Sequence, residues 1–104
     1  MKNWTAQDYR EQLAEHVPVL VEFYAPWCVY CRRLNPALDK VAAQNGGRLT
    51  VGKINIDDEP ELAAREQIEV VPTLVLYRGG NAVGSIVAPE SKAAIENLIR
   101  SAGI

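Results

Sequence analysis

Histidine, methionine and phenylalanine each occur once in this 104-residue chain, and cysteine only twice. One histidine, His16, and two cysteines fall short of the roughly four ligands of a structural zinc site, so a single copy does not build one. Two copies pooling their cysteines around zinc or an iron–sulfur cluster stay open. No glycine pattern that cradles phosphates is present, so no nucleotide or flavin cofactor is expected. A formal net charge of −2 gives no electrostatic case for nucleic acid or an anionic membrane as partner. The longest apolar stretch, residues 17–23, is far shorter than the roughly 20 residues of a membrane span, and the N-terminal residues do not resemble a signal peptide. Repeats and low-complexity linkers are missing too. With 48% hydrophobic and 23% charged residues, the expectation is one domain over residues 1–104, cytoplasmic and monomeric, that needs no crosslink to fold.

What is present reads as alternating helices and strands. Thr5 followed by Asp8 is a capping signal, and Tyr9 and Leu13 mark the inner face of a first helix expected to end near His16. Residues 17–24 are apolar on both faces except at Glu22, the pattern of a central strand covered on two sides. A second helix is expected over residues 28–44, with Cys31, Leu34, Leu38, Val41 and Ala42 inward, Gly46 and Gly47 as its stop, and Pro36 kinking it without dividing it. Residues 49–56 read as a second interior strand, and Asp57, Asp58, Glu59 and Pro60 as the opening of a short helix. Residues 73–77 and 82–87 read as two strands around a tight hairpin at 78–81. Ser91 caps a last helix whose Ile95, Leu98, Ile99 and Ala102 share one face. The order implies an α/β fold, a central mixed sheet with helices on both faces.

Cys28 and Cys31 carry the chemistry. A C-x-x-C spacing at a helix start puts the first sulfur on the exposed first turn and the second one turn inside. The unpaired N–H groups and aligned peptide dipoles there stabilise a thiolate at Cys28, and Arg32 and Arg33 add positive charge nearby. As a static crosslink the bridge would contribute about 2 kcal/mol in the chain-entropy model and would not persist in a reducing compartment. The apolar Trp27 and Tyr30 beside the pair favour redox chemistry. Glu22 has two readings: a strand-end glutamate reaching solvent, or a buried carboxyl whose raised proton affinity lets it exchange a proton near neutral pH. Lys53, the one cation in the second strand, either partners it across the sheet or snorkels to water. Trp27 is either core or an exposed docking surface. His16 reads as a surface residue at the negative end of the first helix, and base rates leave Pro72 trans.

The run Val21-Glu22-Phe23-Tyr24-Ala25-Pro26-Trp27-Cys28-Val29-Tyr30-Cys31 is followed by Pro36, by Gly52-Lys53-Ile54-Asn55-Ile56-Asp57, by Val71-Pro72-Thr73 and by the Gly79-Gly80 hairpin. In that order, over nearly the whole chain, it resembles the thioredoxin family. The resemblance implies the thioredoxin fold with a four- to five-stranded sheet, its first edge strand weak because little chain precedes Thr5. It implies protein disulfide reduction by dithiol exchange without cofactor or metal, with disulfide-containing proteins as substrates and a thioredoxin reductase as electron source. The catalytic group it implies is Cys28 as attacking thiol, Cys31 as resolving thiol, Glu22 as the buried acid beneath them and Lys53 as its neighbour. Substrate binding is implied for Trp27, Val29, Tyr30, Val71 and a cis Pro72, Val71 pairing backbone to backbone with an extended substrate.

The chain departs from the family pattern in three places. Val29-Tyr30 stands where Gly-Pro is usual, and a tyrosine before the second cysteine is similar to glutaredoxins. The lead-in, with Glu22 in place of aspartate, is closer to protein disulfide isomerase domains. Ala88-Pro89 replaces a glycine after the last strand, which implies a tighter groove. The alternatives are a glutathione-linked reductase, a protein disulfide oxidase or isomerase, and a non-catalytic docking or cluster-bridged module.

Overall fold

The computed structural model describes residues 1–104 as five strands and four helices: β1 (Lys2–Asn3), α1 (Ala6–Leu13), β2 (Val19–Tyr24), α2 (Val29–Gln44), β3 (Thr50–Asn55), α3 (Pro60–Arg65), β4 (Thr73–Arg78), β5 (Asn81–Val87) and α4 (Lys92–Ser101). The strands form one mixed sheet in the order β1-β3-β2-β4-β5. β1 and β2 run parallel to β3, β4 is antiparallel to β2, and β5 is antiparallel to β4.

Local signals placed most of these elements. Thr5 and Asp8 form the full capping box of α1, and Ser91 accepts the Ala94 N–H at the start of α4. α2 runs through Pro36 as one helix; Arg32, whose carbonyl loses its partner there, and Pro36 itself are both exposed. Two boundaries differ from expectation by more than one residue. α1 ends at Leu13 rather than near His16, because after the Ala14 N–H bonds the Arg10 carbonyl the chain tightens, Glu15 donating to Gln12. His16 is exposed beyond the helix, not at its dipole's end. β2 starts at Val19 and not at 17, since Pro18 has no N–H to give the ladder; its carbonyl still accepts the Thr50 N–H at 2.9 Å.

The edge strand implied as weak is present in two residues, Lys2 opposite Gly52 and Asn3 opposite Lys53. Trp4 secures it: its N–H donates to the Lys53 carbonyl at 2.7 Å, and its buried indole lies flat on Gly52. A Cβ at position 52 would overlap that ring, so only glycine allows the approach.

Alternation along β2 divides the core between the two faces of the sheet. Leu20 points to α2 and α4, joining Leu34, Leu38, Val41, Leu74, Leu76, Ile95 and Ile99. Val19, Val21 and Phe23 point the other way, toward Tyr9, Ile54, Leu62, Val75 and Tyr77. Glu22 and Tyr24 share the parity of Leu20 and therefore lie on the α2 side. No helix is long and apolar enough to cross a membrane.

Candidate active site

The site forms where β2 ends and α2 begins. Cys28 is the N-cap of α2, with extended backbone angles, and its Sγ accepts the Cys31 N–H at 3.1 Å. The two cysteines are bridged, with Cα atoms 5.3 Å apart, a separation that suits a disulfide. The structure is therefore the oxidised form. Sequence reasoning placed the first sulfur on an exposed turn, but Cys28 is only 8% exposed and Cys31 2%. Ala25, Tyr24, Tyr30, Ile56 and Val71 pack around them, leaving Cys28 the more accessible of the two.

Val71 and Pro72 face the pair. The Val71-Pro72 bond is cis, against the base-rate expectation and in accord with the resemblance. The Cys28 sulfur lies 3.8 Å from the Val71 carbonyl oxygen. The Pro72 carbonyl accepts the Ala88 N–H at 2.8 Å, and Ala88 takes a left-handed conformation at φ +44 that glycine adopts more readily. Next to it, the Tyr30 hydroxyl donates to the Pro89 carbonyl at 2.8 Å, tying the first turn of α2 to the loop after β5. Tyr30 is therefore a half-buried brace, whereas its neighbour Val29 is exposed. Trp27 is not part of the core: it is 67% exposed, its indole N–H held by Asp57 at 3.1 Å. Val29, Val70 and Val87 are also about half exposed. Val70 and Val87 were not singled out in the sequence, and Asp57 and Pro89 were noted there without these bonds; for Val70, adjacency to Val71-Pro72 was the available signal.

Glu22 is buried, 1% exposed, and neither carboxyl oxygen has a hydrogen-bond partner. Burial pushes its proton affinity up, to a pKa of about 7; Lys53 opposes that shift and Asp39 adds to it. Lys53 is its register partner in β3, as the sequence reading supposed. The ammonium makes no ion pair with the carboxylate, however. It lies over the ring of Tyr24, 4.9 Å from the centroid. The Tyr24 hydroxyl in turn bonds to Asn3 Oδ1. Of the two basic residues after the pair, Arg32 reaches back to the Pro26 carbonyl at 3.1 Å, and both are exposed.

A carboxyl that exchanges protons near neutral pH, a bridged dithiol at a helix start and a cis-proline backbone alongside make a site for thiol–disulfide exchange. Comparison with known proteins agrees. The thioredoxin family model matches residues 1–101. A thioredoxin of Streptomyces clavuligerus is 38% identical over 96 residues, covering 91% of this chain and 89% of that protein. Thioredoxin 1 of Nostoc is 38% identical over 90 residues, covering 86% of this chain and 84% of its own. A bifunctional thioredoxin reductase/thioredoxin of Mycobacterium leprae is also 38% identical over 90 residues, 86% of this chain but 20% of the larger protein. The chain belongs to the thioredoxin family and is a thiol–disulfide oxidoreductase of the protein-disulfide reductase type.

Proposed function

We propose that Cys28 is the attacking and Cys31 the resolving thiol, that Glu22 takes the proton of Cys31, and that the chain works as a cytoplasmic monomer re-reduced by a thioredoxin reductase. The observation that carries the assignment is the bridged pair at the head of α2, Cys28 being the more accessible sulfur and lying beside the Val71 backbone.

In the reduced protein the Cys28 thiolate attacks one sulfur of a substrate disulfide. That S–S bond breaks, one substrate sulfur leaves as thiolate and takes a proton from water, and the other is joined to Cys28. Cys31 then gives its proton to the Glu22 carboxylate and attacks the Cys28 sulfur. The second substrate thiolate departs, the Cys28–Cys31 bridge remains, and two electrons have passed to the substrate. An acid with a pKa of about 7 suits the proton step, because it both accepts and returns a proton at neutral pH. The cysteine pair lies at the head of α2 beside the Val71 backbone, an edge that fits an extended polypeptide. Exposed Trp27, Val29, Val70 and Val87 supply an apolar rim for such a substrate. The fused reductase in the M. leprae relative supports that class of electron donor.

Cys28→Ser should abolish turnover of a protein disulfide, and Cys31→Ser should accumulate a mixed disulfide visible on a non-reducing gel. A Cys28→Ser protein that reduces at the wild-type rate overturns the assignment. The lead-in with Glu22, closer to protein disulfide isomerase domains, favours oxidase or isomerase work as the second reading, and the equilibrium potential separates the two. A value near about −270 mV supports reduction, and one well above the glutathione range supports oxidation.

A further inference from the structure

Glu22 and Lys53 are direct register partners in adjacent strands, a placement that puts Cβ atoms roughly 5 Å apart and a lysine ammonium within reach of the carboxylate. The ion pair is nevertheless not made, and both carboxyl oxygens stay unpartnered. The reason lies one residue pair along. Tyr24 follows Glu22 on the same face of β2, diagonal to Lys53, and its ring takes the ammonium. The ring is held from the other side of β3: Asn3, which pairs with Lys53 in the β1–β3 ladder, accepts the Tyr24 hydroxyl. Three strands thus bracket one lysine. The other charges in the neighbourhood do not substitute for it. Asp39, reaching Glu22 from α2, is negative and is engaged by the Met1 ammonium at 3.4 Å, and Asp58 acts on Tyr24 with the same sign.

We propose that Tyr24 is a positioning residue: its ring, anchored by Asn3, holds the Lys53 ammonium off Glu22, so that the buried carboxyl stays unpaired. The inference rests on the reading of Glu22 as proton acceptor for Cys31, and it gives edge strand β1 a part in the chemistry. Releasing the lysine lets it turn to the carboxylate, stabilise the charged form and lower the pH at which Glu22 ionises.

The test follows the Glu22 carboxyl directly, by carbon-13 NMR titration of the full oxidised chain. Tyr24→Leu should lower the midpoint by about one pH unit, the scale of a newly adjacent opposite charge. Tyr24→Phe keeps the ring but loses its bond to Asn3, so it should lower the midpoint by the same smaller amount as Asn3→Ala. Asn3→Ala, at an exposed position, should move the midpoint down by a smaller amount and serves if Tyr24→Leu does not fold. Lys53→Met should raise it, and adding Tyr24→Leu to Lys53→Met should change nothing further. A fall that persists in the double variant would mean water entering beside the carboxyl and would overturn the proposal, as would unmoved midpoints in both Tyr24→Leu and Asn3→Ala. Failure of the catalytic reading looks different: Glu22→Gln would then resolve the mixed disulfide with unaltered pH dependence while the midpoint shifts remained.

Discussion

A carboxyl that is 1% exposed and unpartnered binds its proton more tightly in the folded protein than in the unfolded chain, and stability depends on pH accordingly. Below the unfolded value of 4.5 both states carry the proton and Glu22 costs nothing. As pH rises toward the folded value of about 7 the unfolded chain ionises first, so stability falls through that window and levels off above it. The shift corresponds to about 3 kcal/mol at 1.36 kcal/mol per unit. Glu22→Gln should remove this slope, which urea unfolding at about pH 4 and about pH 8 will measure; a wild-type slope that survives the substitution contradicts the assignment. Tyr30→Phe should cost about 1 kcal/mol, the net worth of the hydrogen bond to Pro89, on the same assay. The sequence exposed the first of these residues only halfway. A glutamate in an apolar strand is visible, but whether it is buried depends on the helix lying over it, which strand alternation does not describe. Nor does spacing reveal that Lys53 turns to a ring, that Tyr30 reaches a loop 59 residues away, or that Pro72 is cis.

Among the elements, those with local signals were legible and those held by tertiary contacts were not. Thr5 and Ser91 cap their helices through bonds spanning three residues, so a few letters of sequence contain the information. The interior places of β2 and β3 in the sheet follow from their apolar patterns. β1 has no such pattern: two exposed residues become a strand only because β3 offers an edge and Trp4 packs on Gly52. Gly52→Ala should therefore displace the indole and lower stability by about 1–3 kcal/mol, the usual cost of overpacking. Thermal unfolding checks this, and Trp4 fluorescence should shift if the ring is pushed toward water. The early end of α1 is made by local bonds, Glu15 donating to Gln12, yet no residue between Ala14 and Pro18 announces it.

At the scale of the whole molecule, the reactive edge draws on residues 22–31, on Asp57, on Val71-Pro72 and on Ala88-Pro89, brought together by the order of strands in one sheet. The resemblance identified these pieces because each is a short motif, but only the sheet explains why they meet. Disulfide exchange should accordingly collapse together with the fold. Exchange rate and far-ultraviolet circular dichroism followed through a urea titration should trace coincident transitions, and activity lost well before the fold would point to a separately unfolding site. A ribosome releases the chain from its N-terminus at roughly 5–20 residues per second, so the cysteine pair emerges well before Val71-Pro72 and the loop that Tyr30 grips. A nascent chain therefore carries a plain dithiol, and the last third of translation turns it into a selective one.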